Sequence, residues 1–113
     1  MTKAETETVK QLAIALPMNA IQSFCQRWQI VELSVFGSIL RDDFNAESDV
    51  DFLYALKTNT RWRLSDLIDA EEELEKMLSR KVDLVGKTTI EQSHNWLRKQ
   101  NILSSAKVIY EDE

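Results

Sequence analysis

Glycine, proline and cysteine are scarce in this chain of 113 residues, which contains two glycines, one proline and one cysteine. A single cysteine, Cys25, cannot form an internal disulfide, and it offers no second thiol for a zinc site. Two glycines cannot supply the three that a G-x-G-x-x-G dinucleotide fingerprint requires. These shortages exclude a disulfide-stapled fold, a cysteine-paired zinc site and a Rossmann-type nucleotide site.

The chain also lacks a long hydrophobic run and an excess of basic residues. Its longest apolar stretches, such as residues 12–16, are far shorter than the ~20 residues of a membrane-spanning helix, and no charged-then-apolar signal segment opens it. With 14 Lys and Arg against 19 Asp and Glu, the net charge is −5, which argues against a protein that coats nucleic acid. We therefore expect a cytoplasmic protein without a membrane or direct nucleic-acid partner. A hydrophobic content of 43% suffices for one core, so we expect a single domain over residues 1–113.

Helix-type and strand-type patterns alternate along the sequence. Apolar residues at helical spacing over residues 5–28, interrupted at Pro17, predict two consecutive helices, the second beginning around the proline. Four later segments are predicted as strands: residues 30–36, 49–56, 81–85 and 107–110. A short helical turn at 38–40 is predicted before a loop over 41–48. Two further helices are predicted, one over 63–80 capped by Ser65 and one over 89–103 with Ile90, Trp96 and Leu97 as apolar positions. This order predicts an α/β (α+β) fold in which helices flank a four-stranded sheet.

Asp49 and Asp51 lie two positions apart in a predicted strand. Because strand side chains alternate between faces, both carboxylates project from the same side, with Cα atoms about 6.5–7 Å apart. Two negative charges so close in a largely apolar strand favour a bound cation, and oxygen ligands of this kind suit Mg²⁺. If the strand that carries Asp83 is a neighbour, three acids meet on one face, which suits phosphoryl or nucleotidyl transfer. The alternative is an edge strand that shows its acids to water.

Gly37 and Ser38 follow the first predicted strand, and ten residues separate Ser38 from Asp49. A glycine lets the backbone approach a phosphate closely, and the following N–H groups and the serine hydroxyl can donate hydrogen bonds to its oxygens. Taken alone, a Gly-Ser pair is equally typical of a plain turn.

Together these motifs resemble the minimal nucleotidyltransferases of the DNA polymerase beta superfamily. The resemblance covers about residues 31–85 and rests on a Gly-Ser pair, ten residues, an Asp-Val-Asp strand and a later Val-Asp-Leu strand. It implies a mixed four-stranded sheet with the DNA polymerase beta-like fold. It further implies the following site: Asp49, Asp51 and Asp83 as catalytic metal ligands for Mg²⁺, with Asp83 also activating the acceptor hydroxyl, and Gly37, Ser38 and Arg41 as nucleotide-binding residues.

The same resemblance implies an activity and a partner. Stand-alone members of this family transfer AMP from ATP to a tyrosine of a HEPN-domain ribonuclease toxin and so act as its antitoxin, which implies a hetero-oligomer. Asp42 stands where the family more often has glycine and places an acid near the expected phosphate path. The alternative is a non-catalytic antitoxin that neutralises its partner by stoichiometric binding. The net charge of −5 and the acidic block over residues 69–75, otherwise interpreted as a solvated helix face, motivate that alternative.

Two further features are interpreted as structural. Gly86-Lys87-Thr88 is similar to the end of a P-loop, but Lys81 occupies the place of the first glycine, so we reject that motif. Trp62 lies between two arginines and is interpreted as a packing residue, with stacking on a base or a partner as the alternative.

Overall fold

The computed structural model describes residues 16–112. Its elements follow one another as α1 (Met18–Arg27), β1 (Ile30–Phe36), a 3₁₀ turn (Gly37–Leu40), β2 (Val50–Leu56), α2 (Leu64–Leu78), β3 (Val82–Gly86), α3 (Lys87–Glu91), α4 (Trp96–Ser105) and β4 (Lys107–Glu111). The predicted strands, the loop and the helix that begins after Pro17 are confirmed. The other helix predicted over residues 5–28, which precedes Pro17, lies outside the described residues.

Within residues 16–112 the strands form one four-stranded sheet in the order β3-β2-β1-β4. β1 pairs antiparallel with both β2 and β4, whereas β2 pairs parallel with β3, so the predicted mixed sheet is confirmed. The register places Asp51 of β2 beside Asp83 of β3 on one side and beside Phe36 of β1 on the other. Because Gly37 directly follows Phe36, the glycine turn reaches the same end of the sheet as the two acids.

Alternation along the strands divides the apolar side chains between the two faces of the sheet. Phe52 is fully buried on the face that α1 and α2 cover. Leu53 faces the other way and packs with Ile90 of α3 and Ile102 of α4. Asp51 lies on this second face, since it is two residues from Leu53. None of the helices in residues 16–112 has the length and apolar character needed to cross a bilayer.

The helix predicted over residues 89–103 is wrong as a single element, because the chain leaves the helix after Glu91 and re-enters it at Trp96. Asn95 caps the new helix: its side chain accepts a hydrogen bond from the backbone N–H of Arg98 at 3.1 Å. Short polar side chains compete for backbone groups in this way and start helices better than they continue them. In consequence Trp96 and Leu97, predicted as apolar packing positions, are 68% and 58% exposed.

The predicted cap of α2 at Ser65 is also wrong. The N-cap residue is Arg63, whose backbone N–H donates to the Asp66 carboxylate at 2.8 Å. An acid in the first turn can accept such a bond and also interacts favourably with the positive end of the helix dipole. The helix therefore begins one residue after Arg63, before the serine that the pattern favoured.

The acidic block of α2, predicted to be a solvated face, is partly bonded within the fold. Among the described residues β3 is an edge strand, so no strand within 16–112 pairs with the outward N–H groups of Val82 and Leu84. Glu75 accepts a hydrogen bond from the Val82 N–H at 3.1 Å, and Glu71 accepts one from the Leu84 N–H at 3.0 Å. These glutamates reach the same strand because residues four apart share one helix face. Glu73, on the same helix, forms an ion pair with α1.

Candidate active site

Asp49, Asp51 and Asp83 come together at one end of the sheet. Asp51 and Asp83 are register partners on adjacent parallel strands, which lie about 4.8 Å apart. Asp49 directly precedes β2, so its side chain is at the open end of the same strand. Asp49 and Asp83 are exposed and Asp51 is half-buried. The structure thus places the three carboxylates that the sequence singled out at the same end of the sheet.

The electrostatics of Asp51 reflect this crowding. Burial raises the pKa of the Asp51 carboxyl above its ordinary value, and the negative charges of Asp83 and Asp49 raise it further. A hydrogen bond from the backbone N–H of Ser38 and the positive charge of Arg41 lower the pKa only in part. A cation between the acids would offset the repulsion between their charges. The donor set therefore fits a hard divalent ion such as Mg²⁺.

The acids do not form a closed metal cage. In the part of the chain that the structure describes, no three His, Cys, Asp or Glu side chains converge closely enough to hold a metal by themselves. Mg²⁺ is typically bound by one or two carboxylates, with water and substrate phosphates completing its coordination. The arrangement of Asp51 beside Asp83, with Asp49 at the strand end, fits a site that a nucleotide completes.

Gly37 lies directly against the Asp51 carboxylate. Its φ angle is +73°, a conformation that residues with a Cβ rarely adopt, and a Cβ built there would lie 2.3 Å from Asp51 Oδ2. Any other residue at this position would therefore collide with the acid. The glycine turn therefore lies in direct contact with the Asp51 carboxylate, while the phosphate-binding role of Gly37 stays a prediction.

Both hydrogen-bond donors of Ser38 bind to the Asp-Val-Asp segment, one to Asp51 and one to Asp49. The Ser38 N–H bonds to the Asp51 carboxylate, and the Ser38 hydroxyl donates to the backbone carbonyl of Asp49 at 3.0 Å. Ser38 therefore ties the glycine turn to both ends of the Asp-Val-Asp segment. Its contact with a phosphate stays a prediction.

Arg41 follows the 3₁₀ turn and lies at the edge of the site. Its side chain is 66% exposed and is 3.9 Å from the Asp43 carboxylate, yet its charge still acts on Asp51. Such an exposed pair contributes little to stability and leaves the guanidinium available to an incoming anion. A phosphate-binding role for Arg41 stays a prediction.

One residue that the sequence did not single out contacts the loop before Asp49. Arg80 Nη1 donates to the carbonyls of Asn45 at 2.9 Å and Ser48 at 2.8 Å, and its guanidinium carbon lies 4.7 Å from the centre of the Phe44 ring. The signal in the sequence is only its position before the strand of Asp83, which by itself does not distinguish it from a surface arginine.

The two features interpreted as structural lie away from the acids. Trp62 stacks on Tyr54 with ring centres 4.6 Å apart, and its indole N–H donates to the Trp28 carbonyl at 3.2 Å, which confirms the packing interpretation. Lys87 follows the far end of β3 and pairs with Glu32 at 2.8 Å.

Comparison with known proteins defines the class. The nucleotidyltransferase domain family matches residues 17–109, and the chain belongs to this family. It is 33% identical over 76 residues to an inferred protein adenylyltransferase of Methanocaldococcus jannaschii, covering 67% of this chain and 73% of that one. It is also 37% identical over 65 residues to the protein adenylyltransferase MntA of Thermococcus cleftensis, covering 58% of this chain and 64% of the relative.

Solved structures narrow the class to the minimal nucleotidyltransferases. An inferred minimal nucleotidyltransferase is 28% identical to this chain with a TM-score of 0.60, and the match covers 93% of this chain and 94% of the other. An MNT antitoxin in complex with the tri-AMPylated HEPN toxin of Shewanella oneidensis has the same fold, with a TM-score of 0.58 at 18% identity over 83% of this chain and 69% of that one. The resemblance inferred from the motifs and the predicted fold are confirmed.

Proposed function

We propose that this protein is a Mg²⁺-dependent adenylyltransferase that moves AMP from ATP to a tyrosine hydroxyl of a HEPN-domain ribonuclease toxin, and thereby acts as its antitoxin. The observation that carries the proposal is the pairing of Asp51 with Asp83 against the Gly37 turn. The names of the relatives support the transfer of AMP to a protein, and the antitoxin complex from Shewanella oneidensis supports the class of partner.

In this mechanism Asp49, Asp51 and Asp83 would hold the metal, which supplies positive charge to the phosphate oxygens. Asp83 is exposed beside Asp51 and accepts the proton of the acceptor hydroxyl. The hydroxyl oxygen forms a bond to the α-phosphorus of ATP, the bond from that phosphorus to the β-phosphate oxygen breaks, and diphosphate leaves. The bare backbone at Gly37 leaves room for the Asp51 carboxylate beside the turn.

The partner completes this function, because the acceptor hydroxyl belongs to the toxin. The protein would act within a hetero-oligomer and in the cytoplasm, without contacting nucleic acid directly. A single domain over residues 1–113 stays a prediction, and the family match over residues 17–109 is compatible with it.

The non-catalytic alternative depends on the acidic block of α2 as a docking surface. Glu71, Glu73 and Glu75 are bonded within the fold, so the exposed acids of the block are Asp69 and Glu72. The block therefore offers a partner fewer free carboxylates than the sequence indicates. This observation favours the enzymatic function over purely electrostatic neutralisation.

Label transfer tests the proposal directly. ATP labelled on the α-phosphate is incubated with Mg²⁺, the purified protein and its co-purifying toxin, using wild type, Asp51→Asn and the matched exposed control Asp69→Asn. We expect label on the toxin with wild type and Asp69→Asn and none with Asp51→Asn. Label that arrives from the γ-phosphate would indicate a kinase, and neutralisation of the toxin by an unlabelled complex would establish the stoichiometric binder instead.

A further inference from the structure

Arg80 connects three parts of the molecule that lie around the acids. It stands between the end of α2 at Leu78 and the start of β3 at Val82, and its side chain crosses to the loop that joins the 3₁₀ turn to β2. One nitrogen of the guanidinium donates to two loop carbonyls, those of Asn45 at 2.9 Å and Ser48 at 2.8 Å. The central carbon of the same group lies over the ring of Phe44, 4.7 Å from its centre. These contacts fix the loop from the side of β3.

The second of these carbonyls belongs to the peptide group that joins Ser48 to Asp49. Asp49 is exposed and precedes the first strand residue, Val50, so the sheet ladder does not hold its own backbone. The next backbone group is held, because the Val50 N–H donates to the Lys81 carbonyl at 3.0 Å. The direction of the Asp49 side chain therefore depends on the bond from Arg80 to the carbonyl before it, on the bond from the Ser38 hydroxyl to its own carbonyl, and on the start of the sheet after it.

We propose that Arg80 is a positioning residue for the metal site: it sets the carboxylate of Asp49 relative to Asp51 and Asp83 by holding the preceding peptide group. The inference rests on the proposed function, since it concerns the same acids. Removing a hydrogen bond to a metal ligand typically changes metal affinity about 10–100-fold, and the bond from Arg80 acts on the peptide group directly before such a ligand. Arginine suits this role because its planar group donates to more than one acceptor while it stacks on an aromatic ring, which lysine cannot do.

A merely structural role would act differently. If Arg80 only tied the loop to the body of the protein, its removal would lower the melting temperature but would leave metal affinity unchanged in the fraction that is folded. A positioning role predicts weaker metal binding at temperatures where the variant is fully folded. The two roles are therefore separated by measuring metal affinity and thermal stability on the same samples.

The variants are Arg80→Ala and Arg80→Lys, and the matched control is Arg61→Ala. The control removes the same charge from an exposed arginine beyond the far end of β2, so it accounts for the change in net charge. Arg80→Lys keeps the charge and covers the case in which Arg80→Ala unfolds. Mn²⁺ serves as the probe, because its binding can be followed by electron paramagnetic resonance without any transfer reaction. Backbone NMR of the metal-free proteins reports on the amide of Asp49.

We expect Mn²⁺ to bind about tenfold or more weakly to Arg80→Ala, less weakly to Arg80→Lys, and within about twofold of wild type to Arg61→Ala. We also expect the Asp49 amide resonance to shift in both Arg80 variants while that of Asp83 stays in place. Mn²⁺ affinity equal to that of Arg61→Ala, or an unmoved Asp49 amide, would overturn the assignment of Arg80. Absence of Mn²⁺ binding by wild type would overturn the proposed function instead, and the Asp49 amide would still decide whether Arg80 positions this residue.

Discussion

Replacement of Gly37 by alanine tests whether the glycine turn and Asp51 really share one space. The new Cβ would lie 2.3 Å from Asp51 Oδ2, whereas real Cβ contacts essentially never fall below 3.0 Å. Either the carboxylate or the turn must therefore withdraw by about 0.7 Å. The φ angle of +73° adds a second penalty, since residues with a Cβ pay about 1–2 kcal/mol in this region.

These two penalties have separate consequences. The backbone penalty predicts a loss of about 1–2 kcal/mol in the free energy of unfolding, which lowers the melting temperature by about 4–8 °C for each kcal/mol in a small domain. The displacement of Asp51 acts on the reaction, where a misplacement of about 1 Å can reduce the rate about 100-fold. We therefore expect Gly37→Ala to remain folded at about 25 °C but to lose nearly all AMP transfer.

The assay is transfer of α-labelled AMP to the toxin, together with Mn²⁺ binding and a thermal melt. Gly86→Ala is the matched control: its φ angle is an ordinary −76°, and the added Cβ would approach the hydroxyl of Tyr54 at 3.1 Å, at the opposite end of β3. We expect this control to keep its activity within a few-fold of wild type. Gly37→Ala with wild-type transfer and wild-type Mn²⁺ affinity would refute the contact and the role of the turn.

Three further predictions concern the charges and hydrogen bonds around the site. The pKa of Asp51 is raised in the folded protein, so its protonated form favours folding: this contribution to stability is complete below the unfolded pKa, near 3.8, and is lost as the pH rises through the folded pKa. Without metal, Asp51→Asn should therefore have a higher melting temperature than wild type at pH ~7 and the same melting temperature at pH ~3. Glu75→Ala leaves the Val82 N–H without its acceptor and should cost about 1 kcal/mol in urea unfolding, whereas exposed Glu72→Ala should change the free energy by less than about 0.5 kcal/mol. Ser38→Ala removes the bond to the Asp49 carbonyl and should weaken Mn²⁺ binding with little change in melting temperature, as titration of the folded protein would measure.

The sheet could be predicted because its strands are short apolar segments bounded by polar loops. β1 and β2 match their predicted bounds to within one residue, and the helix after Pro17 begins where a proline is best tolerated. The order of strands does not follow from such patterns, since pairing joins residues far apart in sequence. It was the family resemblance that implied the mixed sheet.

The failures lie where local polar groups compete with periodicity. The spacing of Ile90, Trp96 and Leu97 is compatible with one helix, but the hydrogen bond from Arg98 to the side chain of Asn95 starts a new helix and turns both large side chains toward solvent. Asp66 similarly displaced Ser65 as the residue that completes the start of α2. A periodic apolar pattern indicates which residues can be buried together, but the hydrogen bonds of the capping residues determine where each helix begins.

For the site, the sequence predicted the acids but not the residues that hold them. Asp49, Asp51 and Asp83 stand out because carboxylates are costly in apolar strands. Arg80 bonds to the backbone carbonyls of Asn45 and Ser48, which would be present whatever residue types stood at these two positions. Because these bonds do not depend on the partner's side chain, no sequence pattern could have predicted the role of Arg80.

The acids of the site and the acids of α2 are linked through the sheet. Asp51 occupies a position on the face where Leu53 is buried, and its raised pKa means that the charged form of its carboxyl destabilises the fold. The strand of Asp83 is at the sheet edge, where it would be free to fray on its outer side. Glu71 and Glu75 bond that outer side to α2 and so oppose the separation of β3 from β2 that charge repulsion favours. Residues that resemble a docking surface in the sequence thus stabilise the strand pair on which the proposed chemistry depends.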